Sequence, residues 1–149
     1  MPTTADHDIS LLVHAIQLAI APVFLLTGLG ALLSVMTTRL GRVIDRARHL
    51  EEKWAALGEN DRVATSIELE ILARRARLSG WAINLCTAAA LLVCTVIAAL
   101  FIDVFTSTNL KWFVGALFIV AMIALIGGLI SFLREVYLAT HTLRIGPPL

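Results

Sequence analysis

Six residues on one helical face, Thr27, Ala31, Ser34, Thr38, Arg42 and Asp45, offer this sequence its clearest chance of chemistry. At 100° per residue they fall within about 60° of one line, and His49 continues it. Small side chains let helices approach closely, and hydroxyls can bond across helices or line water. A ring of such faces around an axis would form a narrow polar path, with an Arg/Asp ring at its mouth. Plain helix packing explains the same stripe, and the residues alone leave both readings open. The opposite face is apolar: Leu29, Leu32, Met36, Val43, Leu50 and Trp54.

Below the stripe lies a charged stretch, "RLGRVIDRARHLEEK". Arg42–Asp45, Asp45–Arg48 and Arg48–Glu52 are spaced to meet on one helical surface. Exposed pairs of this kind contribute only about 0.3–0.5 kcal/mol each, so a solvated, self-neutralised face is the simple expectation. With the downstream arginines this gives a charged face of Arg39, Arg46, Arg48, Glu52, Arg74, Arg75 and Arg77. Arg39 lies close enough to the apolar run to reach lipid phosphates. A third set, Pro22, Gly28, Ala124, Gly127, Gly128 and Ser131, reads as helix packing: a proline inside a span and a small-residue patch in another.

Enzyme chemistry finds no foothold. GxSxG, HExxH, P-loop and GxGxxG patterns are all missing, and no acids stand at metal-ligand spacing. The expectation is no catalytic residue, no metal and no cofactor. "DHD" (Asp6 to Asp8) is a weak ligand set at a chain end. Cys86 and Cys94 are about 12 Å apart along a helix, too far to bridge, and read as small apolar packing residues.

These residues must be positioned by membrane helices. The chain has 149 residues, of which 58% are hydrophobic and 15% charged, and nine of its twelve Lys and Arg fall between Arg39 and Arg77. A net charge of +1 gives nucleic-acid binding no general electrostatic support. Three runs are long enough to cross a bilayer, about 9–36, 82–102 and 112–133, since about 20 helical residues suffice. Trp81 and Trp112 stand where interfacial aromatics are expected. The acidic N-terminus and the length of the first run predict a retained span rather than a cleaved signal. The cation-rich segment 37–80 and the tail 134–149 predict a cytoplasmic location for both, with the N-terminus outside.

Apolar residues recur at Leu29, Leu32, Met36, Leu40, Val43, Ala47, Leu50, Trp54 and Leu57, in steps of three and four. That is a heptad seam leaving the first span without a break. "GEND" (Gly58 to Asp61) predicts a turn, and a second helix should start near Arg62 and rise through Ile67, Ile71 and Leu78. An amphipathic hairpin lying on anionic lipid is the alternative, although its mixed charges weaken that attraction. The third helix should extend through "REVYLATHTLR" until Gly146-Pro147-Pro148 ends it.

"AIQLAIAPVFLLTGLGALLSVMTTRLGRVIDRAR" resembles a bacterial family of small three-span membrane proteins of unknown function. Pro22, Gly28, Arg39, Gly41-Arg42 and Asp45-Arg46-Ala47-Arg48 carry the resemblance, which extends over nearly the whole chain. It implies a bacterial inner membrane and brings no activity with it.

The expected fold is an all-α membrane protein of one domain, 1–149. Three transmembrane helices carry a cytoplasmic helical hairpin, formed by extensions of spans one and two over about 37–80. Its partners would be the lipid bilayer, further copies of itself and a cytoplasmic protein, with no nucleic acid. Two functions fit: a homo-oligomeric ion or small-solute channel with the stripe near its axis, or a non-conducting scaffold whose charged hairpin binds a protein.

Overall fold

A computed structural model describes residues 4–54, 58–106 and 111–141. They form three helices: α1 (Thr4–Lys53), α2 (Glu59–Thr106) and α3 (Lys111–His141). The seam residue Leu57, the centre of the link between the second and third runs, and the Gly-Pro-Pro terminus lie outside the described residues. Each helix contains a stretch long and apolar enough to cross a membrane. Lipid offers no hydrogen-bond partner to the backbone, and a helix satisfies its backbone internally, so such runs have few alternatives.

At 50 residues, α1 is about 75 Å long, well beyond a bilayer's hydrocarbon core. It continues through Pro22, whose ring leaves the Leu18 carbonyl without its helical donor. α2 begins at Glu59, three residues earlier than the turn signal suggests. The Gly58 carbonyl accepts the first helical bond from the Arg62 N–H at 3.0 Å. Glu59 and Asp61 lie in the first turn, where the helix dipole favours negative charge.

The chain divides into two compact units. The first combines Met1–Leu32 with Cys86–Ile126. Its buried residues are Ala15, Ala19, Pro22 and Leu29 from α1, Cys86, Ala89, Val93, Val96 and Ala99 from α2, and Ala121 from α3. The residues are mostly small, which brings the helices close together.

The second unit combines Leu33–Leu85 with Gly127–Leu149. Here Met36, Val43, Leu72, Ser79, Ala82, Gly128 and Glu135 are buried. Met36 and Val43 are seven residues apart, as are Leu72 and Ser79, and Gly128 and Glu135. This is the spacing of helices that keep one seam turned toward their neighbours. The seam expected along α1 is present, with Leu29, Met36 and Val43 buried and Leu32, Leu40, Ala47 and Leu50 half-buried; Trp54 is exposed. Segments of α1 and α2 run antiparallel here, since Arg46 reaches Glu68 while Arg39, seven residues earlier, meets Arg75, seven residues later, at Glu135.

The outer surface is the reverse of a soluble protein's. Only 11% of the most apolar stretch of α3 is buried, and Phe24, Leu91, Ile123 and Leu133 are all well exposed. Large apolar side chains placed outward on three such helices mark a multi-pass membrane protein in contact with a bilayer.

Ala88 and Ala89 separate the two environments within one residue. Ala89 is fully buried and Ala88 is exposed. Ala89→Leu should therefore destabilise the protein by about 1–3 kcal/mol through overpacking, whereas Ala88→Leu should change it by less than about 0.5 kcal/mol. Thermal melting of the two variants in one detergent checks this.

Candidate functional site: a carboxylate shared by two arginines

Glu135 is a carboxylate with none of its surface exposed. Its position follows from helical spacing, because it lies seven residues beyond the buried Gly128 on α3. The seven-residue row thus carries a charged group to a core position. An isolated buried carboxylate is very costly, so it must find cations.

Two arginines reach it from the other helices of the second unit. Arg75 of α2 donates from Nη2 at 3.0 Å and from Nε at 3.3 Å, both to Glu135 Oε1. Arg39 of α1 brings Nη2 within 3.2 Å of Oε2. That second contact has the distance of an ion pair but lacks the direction of a hydrogen bond, so Oε2 is buried without a hydrogen-bond partner. The Arg39 guanidinium also stands over the ring of Phe132, 5.4 Å from its centroid, one turn before Glu135. Both arginines occupy the same place in the seven-residue pattern. Each lies three residues after one buried position and four before the next: Met36, Arg39, Val43 on α1 and Leu72, Arg75, Ser79 on α2.

Arg39, Arg42, Val43, Arg46, Leu72 and Arg75 line a cleft of about 420 Å³ beside this cluster. Arg46 pairs with Glu68 at 2.9 Å, with both side chains well exposed. Val43 and Leu72 are buried and give the cleft an apolar floor.

Other residues singled out from the sequence are placed as follows. Arg39 and Arg75, expected on a solvated charged face, turn instead toward Glu135. Arg48, Glu52, Arg74 and Arg77 are exposed, and Arg46 is exposed in its pair with Glu68. Among the described residues, the ion pairs run between helices, and the within-helix spacings Arg42–Asp45, Asp45–Arg48 and Arg48–Glu52 do not close. Thr27, Ala31, Ser34, Thr38, Arg42 and Asp45 are all exposed, on the side of α1 opposite its buried row. Their hydroxyls bond locally: Thr27 donates to the Val23 carbonyl at 3.3 Å and Thr38 to the Ser34 carbonyl at 2.8 Å.

In the packing set, Pro22 and Gly128 are buried, and Ala124, Gly127 and Ser131 are half-buried. The Ser131 hydroxyl donates to the Gly127 carbonyl at 2.9 Å. A Cβ on Gly127 would meet Leu85 at 3.5 Å, an ordinary contact. Gly28 is exposed with open space around it. Among the described residues, no group of three or more His, Cys, Asp or Glu is arranged to hold a metal ion.

Glu135 is the residue that sequence reading missed. It is the lone acid of "SFLREVYL", and the row Ala121, Gly128, Glu135 was the signal that marked it.

Removing one partner of a buried ion pair typically costs about 3–5 kcal/mol. Glu135→Ala should lose stability on that scale, because it leaves two half-buried guanidiniums facing each other. The triple variant Arg39→Met, Arg75→Met, Glu135→Leu removes all three charges and should recover most of the loss. Melting temperatures of the purified proteins compare the two.

A model of the family described as Protein of unknown function (DUF2721) matches residues 19–145. No curated protein and no solved structure matches the chain.

Proposed function

The chain belongs to the DUF2721 family, and from that premise and the geometry above we propose that it works as a homo-oligomeric membrane assembly passing ions or small solutes. One observation carries this reading: the six stripe residues from Thr27 to Asp45 are exposed in the single chain, while Leu29, Met36 and Val43 on the other side of α1 are buried. Small and hydroxyl-bearing residues gain little from lipid, but they suit close contact with another copy. The local bonds of Thr27 and Thr38 refine the chemistry. Each hydroxyl spends its proton on its own helix, so its oxygen keeps lone pairs for water or a passing cation. In this assembly the α1 stripes surround the axis, with Arg42 and Asp45 at the mouth.

The setting is a bacterial inner membrane. The N-terminus lies outside, and the 37–80 hairpin and the C-terminus lie in the cytoplasm, as the concentration of Lys and Arg in that segment favours.

A second reading is a non-conducting scaffold. It is favoured by the exposed Arg42, Asp45, Arg48, Glu52, Arg74 and Arg77, none of which forms an ion pair among the described residues. Such a face can recognise a protein of complementary charge.

Single cysteines at Ala31, Ser34 and Thr38, in a Cys94→Ala background, should crosslink between copies, whereas cysteines at Leu29 and Met36 should not. In liposomes the wild type should conduct. Ser34→Leu and Thr38→Leu should lower flux about tenfold or more without changing oligomer size, as narrowing an apolar constriction does. Crosslinked but electrically silent oligomers would favour the scaffold, for which Asp45→Arg should abolish capture of a specific cytoplasmic partner.

A further inference from the structure

The cleft beside Glu135 holds more positive charge than the protein neutralises. Arg39 and Arg75 share one carboxylate. Arg46 is matched by Glu68, and Arg42 has no ion pair among the described residues. Four arginines against two glutamates leave a formal charge of +2 around one cavity of about 420 Å³. That volume lies within the usual range for small-ligand sites.

The guanidinium donors are also underused. A guanidinium carries five N–H groups. Arg39 engages Glu135 through Nη2 alone, and Arg75 through Nε and Nη2. The remaining donors belong to side chains that line the cleft. Glu135 fixes two of these guanidiniums from behind, from a fully buried position, so they are held in place before any ligand arrives. The buried Val43 and Leu72 lower the dielectric at the floor and strengthen attraction to an anion. Arg39, Arg42 and Arg46 follow at steps of three and four on α1, and Arg75 faces them from α2.

We propose that this cleft binds a phosphate-bearing anion, held by Arg42 and by the free donors of Arg39 and Arg75. Planar guanidiniums match phosphate oxygens through paired hydrogen bonds. Arg39 lies three residues past Met36, where the first apolar run ends. The phosphate can therefore come from a lipid headgroup at the membrane surface or from a free phosphate in water. The site lies within the second unit of one chain and shares only Arg42 with the α1 stripe, so anion binding by a single chain can be read apart from conduction.

Arg42→Gln provides the cleanest test, because Arg42 is exposed and does not hold Glu135. Arg48→Gln, on the same helix but outside the cleft, controls for general charge loss. The full chain, in an uncharged maltoside detergent, is titrated with inorganic phosphate by calorimetry. In parallel, phosphatidylcholine nanodiscs with and without phosphatidylglycerol are analysed by native mass spectrometry for retained lipid. Saturable binding of one anion per chain is expected, weakened about tenfold or more by Arg42→Gln, the scale of one charge-assisted contact. Arg48→Gln should leave it unchanged, and both variants should melt with the wild type. Binding of inorganic phosphate identifies a free anion; retention of phosphatidylglycerol alone identifies a headgroup. Absence of saturable binding in both arms overturns the proposal, as does binding that Arg42→Gln leaves intact or that both variants weaken equally.

Discussion

Glu135 sets the terms for the second unit. A carboxylate with no exposed surface is tolerated only beside cations, and here the cations come from the two other helices. The contact thereby ties α1, α2 and α3 to one another at a single point. Apolar packing along a heptad seam resists sliding only weakly, because one leucine-sized side chain resembles the next. A charge triad does not tolerate a one-turn slip, since the slip would bury a lone carboxylate. Buried polar groups are best attested in this role, as register devices rather than as sources of stability.

The seven-residue spacing makes that contact geometrically available. Met36 and Val43, Leu72 and Ser79, and Gly128 and Glu135 are buried in the second unit, and Ala15, Pro22 and Leu29 repeat the interval in the first. A side chain three residues beyond a seam position lies at the edge of the contact, half covered and half accessible. Arg39 and Arg75 both sit there. Such a position lets a long side chain bury its stem and one edge of its guanidinium while leaving other donors free. Structural anchor and cationic cleft are thus consequences of one arrangement.

The two sides of α1 serve different ends. The seam side is committed within the chain. The other side, from Thr27 through Asp45, is small, hydroxylated and then charged, with Thr protons folded back onto the helix. Local bonding keeps such hydroxyls compatible with an apolar environment, so the face can exist before assembly. The same bonding leaves acceptor oxygens outward. That combination underlies the proposed assembly.

The sequence by itself determined the helices. Three apolar runs of bilayer length admit few backbone structures other than helix, and the steps from Leu29 through Leu50 identified the buried side of α1. It also located the charge-rich segment, because Lys and Arg cluster visibly between Arg39 and Arg77. Which charges meet was decided only by tertiary structure. Arg42, Asp45, Arg48 and Glu52 have good local spacing, yet exposed pairs of that kind gain only about 0.3–0.5 kcal/mol each, too little to dictate a conformation. A buried carboxylate left without a cation costs several kcal/mol. Its demand therefore governs the pairing, but it exists only once α3 has turned Glu135 toward residues 60 and 96 positions away in the chain.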